Sequence, residues 1–260
     1  MSSCATPDIA FLHRLADLAD AQTLARFRSP LRVDAKFKAG DRFDPVTDAD
    51  RQAELAMRQL IEQTYPEHAI LGEEYGDKPG SEHCWVLDPV DGTKPFICGI
   101  PVWGTLIGLT RDGLAVRGLM SQPFTQERFW ADDSGAWHQR GSVLKPIHCR
   151  RSSLADAILH TTSPQGYTDE LASKFERLKN QTKMTRYGGE CYAMVMVAAG
   201  HIDLAFEPSL QAYDIVALIP IIEKAGGVVT RLDGGRPEMG GAILISASAA
   251  LHEQALELLR

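Results

Sequence analysis

One segment, LDPVDGT at residues 87–93, restricts the fold more than any other part of the chain. It follows the apolar run CWV, so the pattern predicts a strand that ends at Asp88 and continues as a turn. Pro89 fixes the backbone and donates no hydrogen bond, and Gly92 lets a ligand come close to the main chain. We therefore expect Asp88 and Asp91 to point the same way, beside an exposed backbone carbonyl.

Three further acidic segments lie where a predicted strand or loop meets a turn or a helix. They are DPVTDAD with Asp50, LGEEYG with Glu73, and QAYDIVA with Asp214. Carboxylates and a carbonyl are hard oxygen ligands, which suit Mg²⁺ rather than Zn²⁺. A Mg²⁺ ion with few protein ligands usually shares a phosphate, and the N–H groups that follow Asp91 are placed to bind an anion. The combination indicates phosphoryl chemistry.

Each acidic segment also has a plain structural interpretation. Asp50 and Asp214 each precede an apolar helical run, so either could be a helix N-cap. The Glu73-Glu74 pair could lie in a solvated loop, and residues 88–93 could form only a turn. The chain has neither a D-x-D-x-D-G calcium loop nor a G-x-x-x-x-G-K-[ST] nucleotide-binding loop, so those two functions have no support.

Composition excludes several other classes of protein. The chain has 260 residues, of which 44% are hydrophobic and 23% charged, as is typical of a folded globular protein. Its formal net charge of −7 argues against a nucleic-acid partner. Charges or glycines interrupt every apolar stretch well short of about 18 residues, so no membrane span is expected. Five cysteines without a C-x-x-C pair, and an N-terminus without an apolar signal, favour a cytoplasmic protein.

The periodicity divides the chain into two lobes that form one compact functional unit. Residues 1–140 are predicted to form an α+β lobe that carries most of the metal ligands. Residues 141–260 are predicted to form an α/β lobe in which strands and helices alternate. A helix is expected from about Asp214 to Ala225, and Pro220 should remove one of its backbone hydrogen bonds and bend it.

Several blocks of sequence resemble the inositol monophosphatase superfamily of Mg²⁺-dependent, lithium-sensitive phosphatases. The blocks are Gly72-Glu73-Glu74, residues 88–93, Tyr213-Asp214 and Ala225-Gly226-Gly227, and their order and approximate spacing agree from Pro45 to Gly227. The resemblance implies an α/β fold, a layered α-β-α-β-α sandwich, usually found as a homodimer. It also implies Mg²⁺-dependent hydrolysis of a small phosphate monoester without a covalent phosphoenzyme.

The resemblance also implies a role for each matched residue. Two Mg²⁺ ions, or Mn²⁺ as a substitute, would be held by Glu73, Asp88, the carbonyl of Val90, Asp91 and Asp214, and Asp50 would serve a third, weaker ion. Gly92 and Thr93 would donate backbone N–H groups to the phosphate. Glu73 and Thr93 would orient the attacking water, and Asp91 completes the expected catalytic set.

Longer blocks resemble the histidinol-phosphate phosphatase branch of this superfamily. They are residues 44–51, 93–106, 161–164 and 186–192. The usual member of that branch has Asp where this chain has Glu190. A Lys often precedes the DPVT block in the family, and either Lys36 or Lys38 could be its counterpart.

The chemistry of the substrate favours the same branch. L-Histidinol phosphate carries an ammonium and an imidazole, so its leaving alcohol is cationic. A site that binds it is expected to have additional carboxylates near the metal ligands. Glu190 and Glu207 are the candidates for contact with the amine, and Asp214 is expected to reach the substrate as well. Glu190 could instead be a first-turn helix charge, and Glu207 could be a surface carboxylate at a strand end.

The expected reaction converts L-histidinol phosphate and water into L-histidinol and phosphate, a step of histidine biosynthesis. The alternative among enzymes is an inositol-1-monophosphatase or a broad sugar-phosphate phosphatase. An alternative of a different class is a scaffold that keeps the fold and binds RNA or transcription factors. The acidic charge and the intact set of carboxylates argue against this last alternative.

Overall fold

The structure, a computed structural model, describes residues 6–36 and 44–260. Lys38 and the side chain of Lys36 lie outside the described part of the chain, so the prediction about these two lysines stays a prediction. Within the described ranges, no helix combines the length and the apolar character that a passage through a lipid bilayer requires.

The first half of the chain forms a helical pair and a large sheet. Its helices are α1 (Ile9–Leu24), α2 (Asp48–Thr64) and α3 (Thr93–Ile97). Its strands are β1 (Val33–Lys36), β2 (Asp44–Thr47), β3 (Ala69–Gly72), β4 (Gly76–Lys78), β5 (His83–Asp91), β6 (Gly104–Arg111), β7 (Leu114–Gln122), β8 (Glu127–Asp132), β9 (Gly135–Arg140) and β10 (Val143–Pro146). Strands β1 and β2 form a separate antiparallel pair, and the others form an eight-stranded sheet in the order β10-β9-β8-β7-β6-β5-β3-β4.

Helices α1 and α2 cover one face of the eight-stranded sheet. Leu12 and Leu15 of α1 share one apolar core with Met57 and Ile61 of α2 and with Trp85 of β5, and all five side chains are fully buried. Complete burial of such a side chain stabilises the fold by about 1.5–3 kcal/mol. The apolar residues of both segments recur at helical spacing, and they lie on the faces of α1 and α2 that this core buries.

The second half of the chain alternates strands and helices, as predicted. Its helices are α4 (Asp169–Lys179), α5 (Glu190–Ala198), α6 (Ala212–Ile215), α7 (Leu218–Lys224) and α8 (Ala249–Leu259). Its strands are β11 (Ile158–Thr161), β12 (Met184–Tyr187), β13 (Leu204–Leu210), β14 (Val228–Arg231) and β15 (Gly241–Ser246). They form a five-stranded sheet in the order β12-β11-β13-β15-β14.

The elements stack in five layers. Helices α1 and α2, the eight-stranded sheet, helices α5 to α7, the five-stranded sheet, and helices α4 and α8 follow one another. One apolar core crosses the middle layer, from Leu106 and Phe129 of the large sheet through Ile219 of α7 to Ile243 of the small sheet. The predicted layered α-β-α-β-α sandwich is confirmed. The large sheet continues past residue 140 through β10, and the division into lobes at that residue stays a prediction.

Two element boundaries differ from the prediction. Strand β5 does not end at Asp88 but continues to Asp91. The helix expected from Asp214 to Ala225 is divided into α6 and α7 by a turn at Val216-Ala217. Pro220 has no N–H to donate to the carbonyl four residues earlier, at Val216, which is where the helical hydrogen bonding is interrupted. Val216 and Ala217 keep right-handed helical backbone angles, so the interruption agrees with the predicted loss of a backbone hydrogen bond at Pro220, and the bend stays a prediction.

Candidate active site

A β-bulge in β5 brings Asp88 and Asp91 to the same side of the strand. Side chains three residues apart on a regular strand point to opposite faces. Between Asp88 and Asp91, however, two residues of β5 lie opposite the single Thr105 of β6. Pro89 belongs to the bulge, where the sheet needs no N–H from it, and its carbonyl accepts a hydrogen bond from Thr105 Oγ1 at 2.8 Å. The extra residue restores the common direction that we expected for the two carboxylates.

Asp88, Asp91 and Asp214 form a cluster of carboxylates. One oxygen atom from each lies within 4.8 Å of the others. Burial raises the pKa of Asp88, and the negative charges of Glu73, Asp91 and Asp214 raise it further. Burial also raises the pKa of Asp91, as does the charge of Asp214. Such a cluster repels itself unless protons or a cation neutralise it, so its donor set fits a hard divalent cation such as Mg²⁺.

Helix α6 places Asp214 in this cluster. Asp214 is the third residue of the helix, and its Oδ2 accepts a hydrogen bond from the backbone N–H of Gln211 at 2.7 Å. The Gln211 side chain accepts a hydrogen bond from the backbone of Asp214 in return, which makes the pair a capping box. The alternative that Asp214 is the N-cap is therefore wrong, since the N-cap is Gln211.

Asp50 has the same local position in α2 but lies outside the cavity. It is buried, and its Oδ2 accepts hydrogen bonds from the backbone N–H and the hydroxyl of Thr47 at 3.0 and 2.5 Å. Its Oδ1 lies 3.3 Å from the Thr93 hydroxyl, which is also 3.2 Å from the carbonyl oxygen of Val90. Burial raises the pKa of Asp50 to about 6. Asp50 is thus the capping partner of Thr47 and not the N-cap, and its service to a third ion stays a prediction.

Glu73 follows β3 and lies beside Asp88. Its backbone N–H donates to the carbonyl of Leu87 at 3.2 Å, so the chain follows β5 for one residue beyond the end of β3. The Glu73 and Asp88 carboxyl groups are hydrogen-bonding partners, and both line the cavity. Glu73 therefore lies in a partly exposed turn at the wall of the cavity, and its role as a metal ligand stays a prediction.

Gly92 and Glu190 are neighbours on the wall of the cavity. Gly92 has a φ of +90°, and a Cβ at this position would lie 2.9 Å from Cγ of Glu190. Glu190 opens α5 with a φ of +49°, a left-handed conformation that is uncommon for a residue with a side chain. The next residue, Cys191, donates its backbone N–H to Asp91 Oδ2 at 2.6 Å. Helix α5 therefore holds one oxygen of Asp91 and leaves Glu190 in the cavity wall.

The cavity that these groups line has a volume of about 320 Å³. Its carboxylates belong to Glu73, Asp88, Asp91, Asp214 and Glu190, and Lys94 is the single cation among the lining residues that the structure describes. Burial raises the pKa of Glu190, whereas the Thr162 hydroxyl and the charge of Lys94 lower it. The lining residues thus carry a surplus of negative charge.

Sequence reasoning missed the part of this wall that carries no carboxylate. Thr162, Ser163 and Gln165 line the cavity, as does Lys94. No role was assigned to any of them, because short polar residues in a loop have many structural uses. The resemblance of residues 161–164 to the histidinol-phosphate phosphatase branch was the available signal for this segment.

Glu207 lies behind this wall. It is 4% exposed, so the alternative of a surface carboxylate is wrong. Its Oε1 accepts a hydrogen bond from the backbone N–H of Thr162 at 2.7 Å and lies 3.7 Å from Nδ1 of His160. Burial raises the pKa of Glu207 to about 8. Glu207 is not among the lining residues of the cavity, and its direct contact with a substrate amine stays a prediction.

Comparison with known proteins agrees with this geometry. The model of the inositol monophosphatase family matches residues 6–260. A histidinol-phosphatase of Streptomyces coelicolor is 35% identical over 257 residues, which are 96% of this chain and 95% of that protein. The chloroplastic bifunctional phosphatase IMPL2 of Arabidopsis thaliana is 39% identical over 238 residues, or 86% of this chain and 68% of that protein. A solved structure of an inositol monophosphatase from Zymomonas mobilis is 38% identical, with a TM-score of 0.85 and 97% coverage of both chains. The chain belongs to the inositol monophosphatase family.

Proposed function

We propose that this chain hydrolyses phosphate monoesters with the help of Mg²⁺ and that its substrate is L-histidinol phosphate. The observation that carries the first part is the cluster of Asp88, Asp91 and Asp214, whose oxygen atoms lie within 4.8 Å of one another in a cavity of about 320 Å³. The second part is supported by Glu190 in the same cavity and by the likeness to a histidinol-phosphatase over nearly the whole chain.

The acidic cluster would hold the metal. Glu73, Asp88, the carbonyl of Val90, Asp91 and Asp214 supply the hard oxygen atoms that Mg²⁺ prefers. Repulsion among these half-buried or buried carboxylates favours a cation in their midst. When bound, Mg²⁺ supplies positive charge that offsets the carboxylates and the phosphate and makes water a stronger acid.

The protein's own groups position the reactants. Glu73 and Thr93 orient the attacking water, and the carboxylate of Glu73 takes its proton. The backbone N–H groups of Gly92 and Thr93 donate to the phosphate oxygens. Water adds to phosphorus, the P–O bond to the alcohol breaks, and a proton goes to the leaving oxygen. Phosphoryl transfer depends mainly on positioning and neutralisation of charge, so the site needs no Cys or Ser nucleophile.

Selection of a cationic alcohol follows from the charges in the cavity wall. Glu190 lines the cavity, where the described residues place five carboxylates beside the single cation of Lys94, whose charge acts on Glu190. A half-buried carboxylate in that situation is stabilised by a cation that the substrate brings with it. The ammonium of L-histidinol phosphate supplies such a cation, whereas an inositol phosphate supplies only hydroxyl groups.

The second candidate is an inositol-phosphate phosphatase. It is favoured by the solved structure of an inositol monophosphatase, which is 38% identical and shares the fold over 97% of the chain. Both candidates use the same carboxylate cluster, so they differ only in what the cavity wall contacts. Discrimination therefore depends on Glu190 and its neighbours.

The test measures initial rates of phosphate release from L-histidinol phosphate and from inositol 1-phosphate with Mg²⁺ present. We expect the wild-type chain to prefer L-histidinol phosphate in kcat/KM. A hydrogen bond to a charged group contributes about 1.5–3 kcal/mol, so Glu190→Gln should raise KM for L-histidinol phosphate by roughly tenfold to a hundredfold. The rates on inositol 1-phosphate should change little.

The matched control is Glu253→Gln, which removes a charge from the exposed face of α8 and should change neither substrate. An equal loss on both substrates would remove Glu190 from amine recognition. A wild-type preference for inositol 1-phosphate would establish the second candidate in place of the first.

A further inference from the structure

We infer that Glu54, which lies outside the cavity, is a positioning residue for Glu73 and thereby sets the affinity of the site for Mg²⁺. The inference rests on the proposed function, in which Glu73 is a metal ligand. Glu54 lies in the middle of α2 and is 0% exposed. A carboxylate that is buried this completely is costly unless charged and polar partners surround it, so its partners indicate its purpose.

The partners of Glu54 belong to the segment that directly follows Glu73. Its Oε2 accepts a hydrogen bond from the backbone N–H of Glu74 at 2.8 Å, and its Oε1 accepts one from the backbone N–H of Tyr75 at 3.2 Å. Oε1 also accepts a hydrogen bond from Nε of Arg58 at 2.7 Å. One carboxylate therefore binds two successive backbone N–H groups of a turn and a guanidinium.

Arg58 extends this contact to the other end of the turn. It lies one helical turn after Glu54, and its second terminal nitrogen donates to the carbonyl oxygen of Gly76. The guanidinium carbon lies 6.0 Å from the centre of the Tyr75 ring. The Glu54–Arg58 pair thus holds Glu74, Tyr75 and Gly76 through their main chain.

Gly72 shows how closely the pair approaches the strand that carries this turn. A Cβ at Gly72 would lie 2.0 Å from Oε1 of Glu54 and 2.6 Å from the terminal nitrogen of Arg58. Only a residue without a side chain leaves room for the buried pair at the end of β3. The Glu54–Arg58 pair therefore contacts the chain immediately before Glu73, at Gly72, and immediately after it, at residues 74–76.

Glu73 is consequently held from both directions. Its own N–H is bound to the carbonyl of Leu87, and the N–H of the following residue is bound to Glu54. The carboxylate of Glu73 meanwhile lines the cavity together with Asp88. Residues that fix the orientation of a metal ligand typically change the metal affinity by about 10–100-fold when they are altered. Glu54 is in the right place to act in this way.

A purely structural role for Glu54 makes a different prediction. If the pair only stabilised the contact between α2 and the sheet, its loss would lower the melting temperature without changing the affinity for Mg²⁺. The two roles are separated by measuring Mg²⁺ affinity and stability independently of turnover. Mg²⁺ titrations by calorimetry, and the rise of the melting temperature with Mg²⁺ concentration, provide this measurement.

We expect Glu54→Gln, which keeps the shape and one acceptor oxygen, to weaken Mg²⁺ binding by about tenfold or more. At saturating Mg²⁺ its kcat should be within a few-fold of wild type, because Glu73 itself is present. The matched control is Glu62→Gln on the exposed face of the same helix, which should leave Mg²⁺ affinity unchanged. Should Glu54→Gln fail to fold, Arg58→Lys keeps the charge pair but loses the forked contact to Gly76, and a tenfold weaker affinity is again expected.

A further comparison uses Glu73→Gln and the double variant. Because Glu54 acts through Glu73, the double variant should bind Mg²⁺ no more weakly than Glu73→Gln alone. Unchanged Mg²⁺ affinity in both Glu54→Gln and Arg58→Lys would overturn the inference, whatever their melting temperatures. Unchanged affinity in Glu73→Gln would instead show that the proposed ligand set is wrong. The failure of the inference and the failure of the proposed function are therefore distinct results.

Discussion

The starts of α2 and α6 carry the same local motif and lead to different results. In each helix the third residue is an aspartate whose Oδ2 accepts the backbone N–H of the N-cap residue, at 3.0 Å from Thr47 to Asp50 and at 2.7 Å from Gln211 to Asp214. Each pair is a reciprocal capping box. The local hydrogen bonding of the two aspartates is therefore nearly identical.

The surroundings of the two aspartates differ. Asp50 is 1% exposed and does not line the cavity. It accepts hydrogen bonds from the backbone N–H and the hydroxyl of Thr47 and from the hydroxyl of Thr93. Asp214 is half-buried, lines the cavity and belongs to the cluster with Asp88 and Asp91. A capping box uses one oxygen of the carboxylate, so the role of the other oxygen depends on which distant segments face it. The comparison separates local structure from site chemistry.

The largest expected effect comes from Asp214→Asn. The amide keeps an oxygen for the capping box, so α6 should form. It removes a negative charge from the cluster, so the site should bind Mg²⁺ much more weakly. Metal-ion stabilisation of the transition state is worth several kcal/mol, so kcat/KM at ordinary Mg²⁺ should fall by about a thousandfold or more. Phosphate release measures the loss, and circular dichroism checks that the fold is kept.

Asp91→Asn is the companion of this variant, since it belongs to the same cluster without any part in a capping box. We expect it to abolish activity at ordinary Mg²⁺ to the same extent while leaving the fold intact. Activity within a few-fold of wild type in either variant would remove that aspartate from the ligand set.

Asp50→Asn should have an intermediate effect. The amide oxygen can still accept the N–H of Thr47, but the Thr93 hydroxyl loses the charged acceptor at 3.3 Å and keeps only the carbonyl of Val90 at 3.2 Å. Hydrogen bonds to charged groups contribute about 1.5–3 kcal/mol, so kcat should fall by roughly tenfold to a hundredfold through the altered position of Thr93. The same assay of phosphate release measures it.

The size of the activity loss in Asp50→Asn tests how far the capping boxes of α2 and α6 differ in function. A loss as large as that of Asp214→Asn, with a weaker response to Mg²⁺, would make Asp50 a full metal ligand and would remove the contrast. Thr93→Ser serves as a control, because it keeps the hydroxyl and should keep most of the activity.

The contrast also shows how far the sequence alone can be interpreted. The layered sandwich followed from the resemblance to a known family, and the alternation of strands and helices in the second half followed from periodicity; both are confirmed. The meeting of Asp88 and Asp91 was predicted correctly for an incomplete reason. Pro89 and Gly92 indicated the end of a strand, whereas the strand continues through a bulge that tolerates a proline.

What could not be predicted depends on contacts between distant segments. The left-handed backbone of Glu190 has no local signal, because neither its neighbours nor its type favours a positive φ. The burial of Glu207 behind Thr162 likewise requires β11 and β13 to lie side by side. Nothing in the sequence showed why residue 72 is a glycine. In the structure, the buried carboxylate of Glu54 from α2 lies against the end of β3 and leaves no room for a side chain at Gly72.

The smallest expected effects come from the cap residues themselves. Thr47→Ala removes a buried N-cap oxygen that accepts the N–H of Ala49 at 3.1 Å, and it should lower the free energy of unfolding by about 1 kcal/mol. Gln211→Ala, at the exposed start of a four-residue helix, should lower it by only about 0.5 kcal/mol or less. Differential scanning calorimetry and phosphate release separate stability from activity in both variants. If Gln211→Ala instead lost activity tenfold with little change in melting temperature, the box at α6 would have to hold Asp214 in place for the metal. Its function would then be positioning, and the two motifs would differ even at the level of the cap.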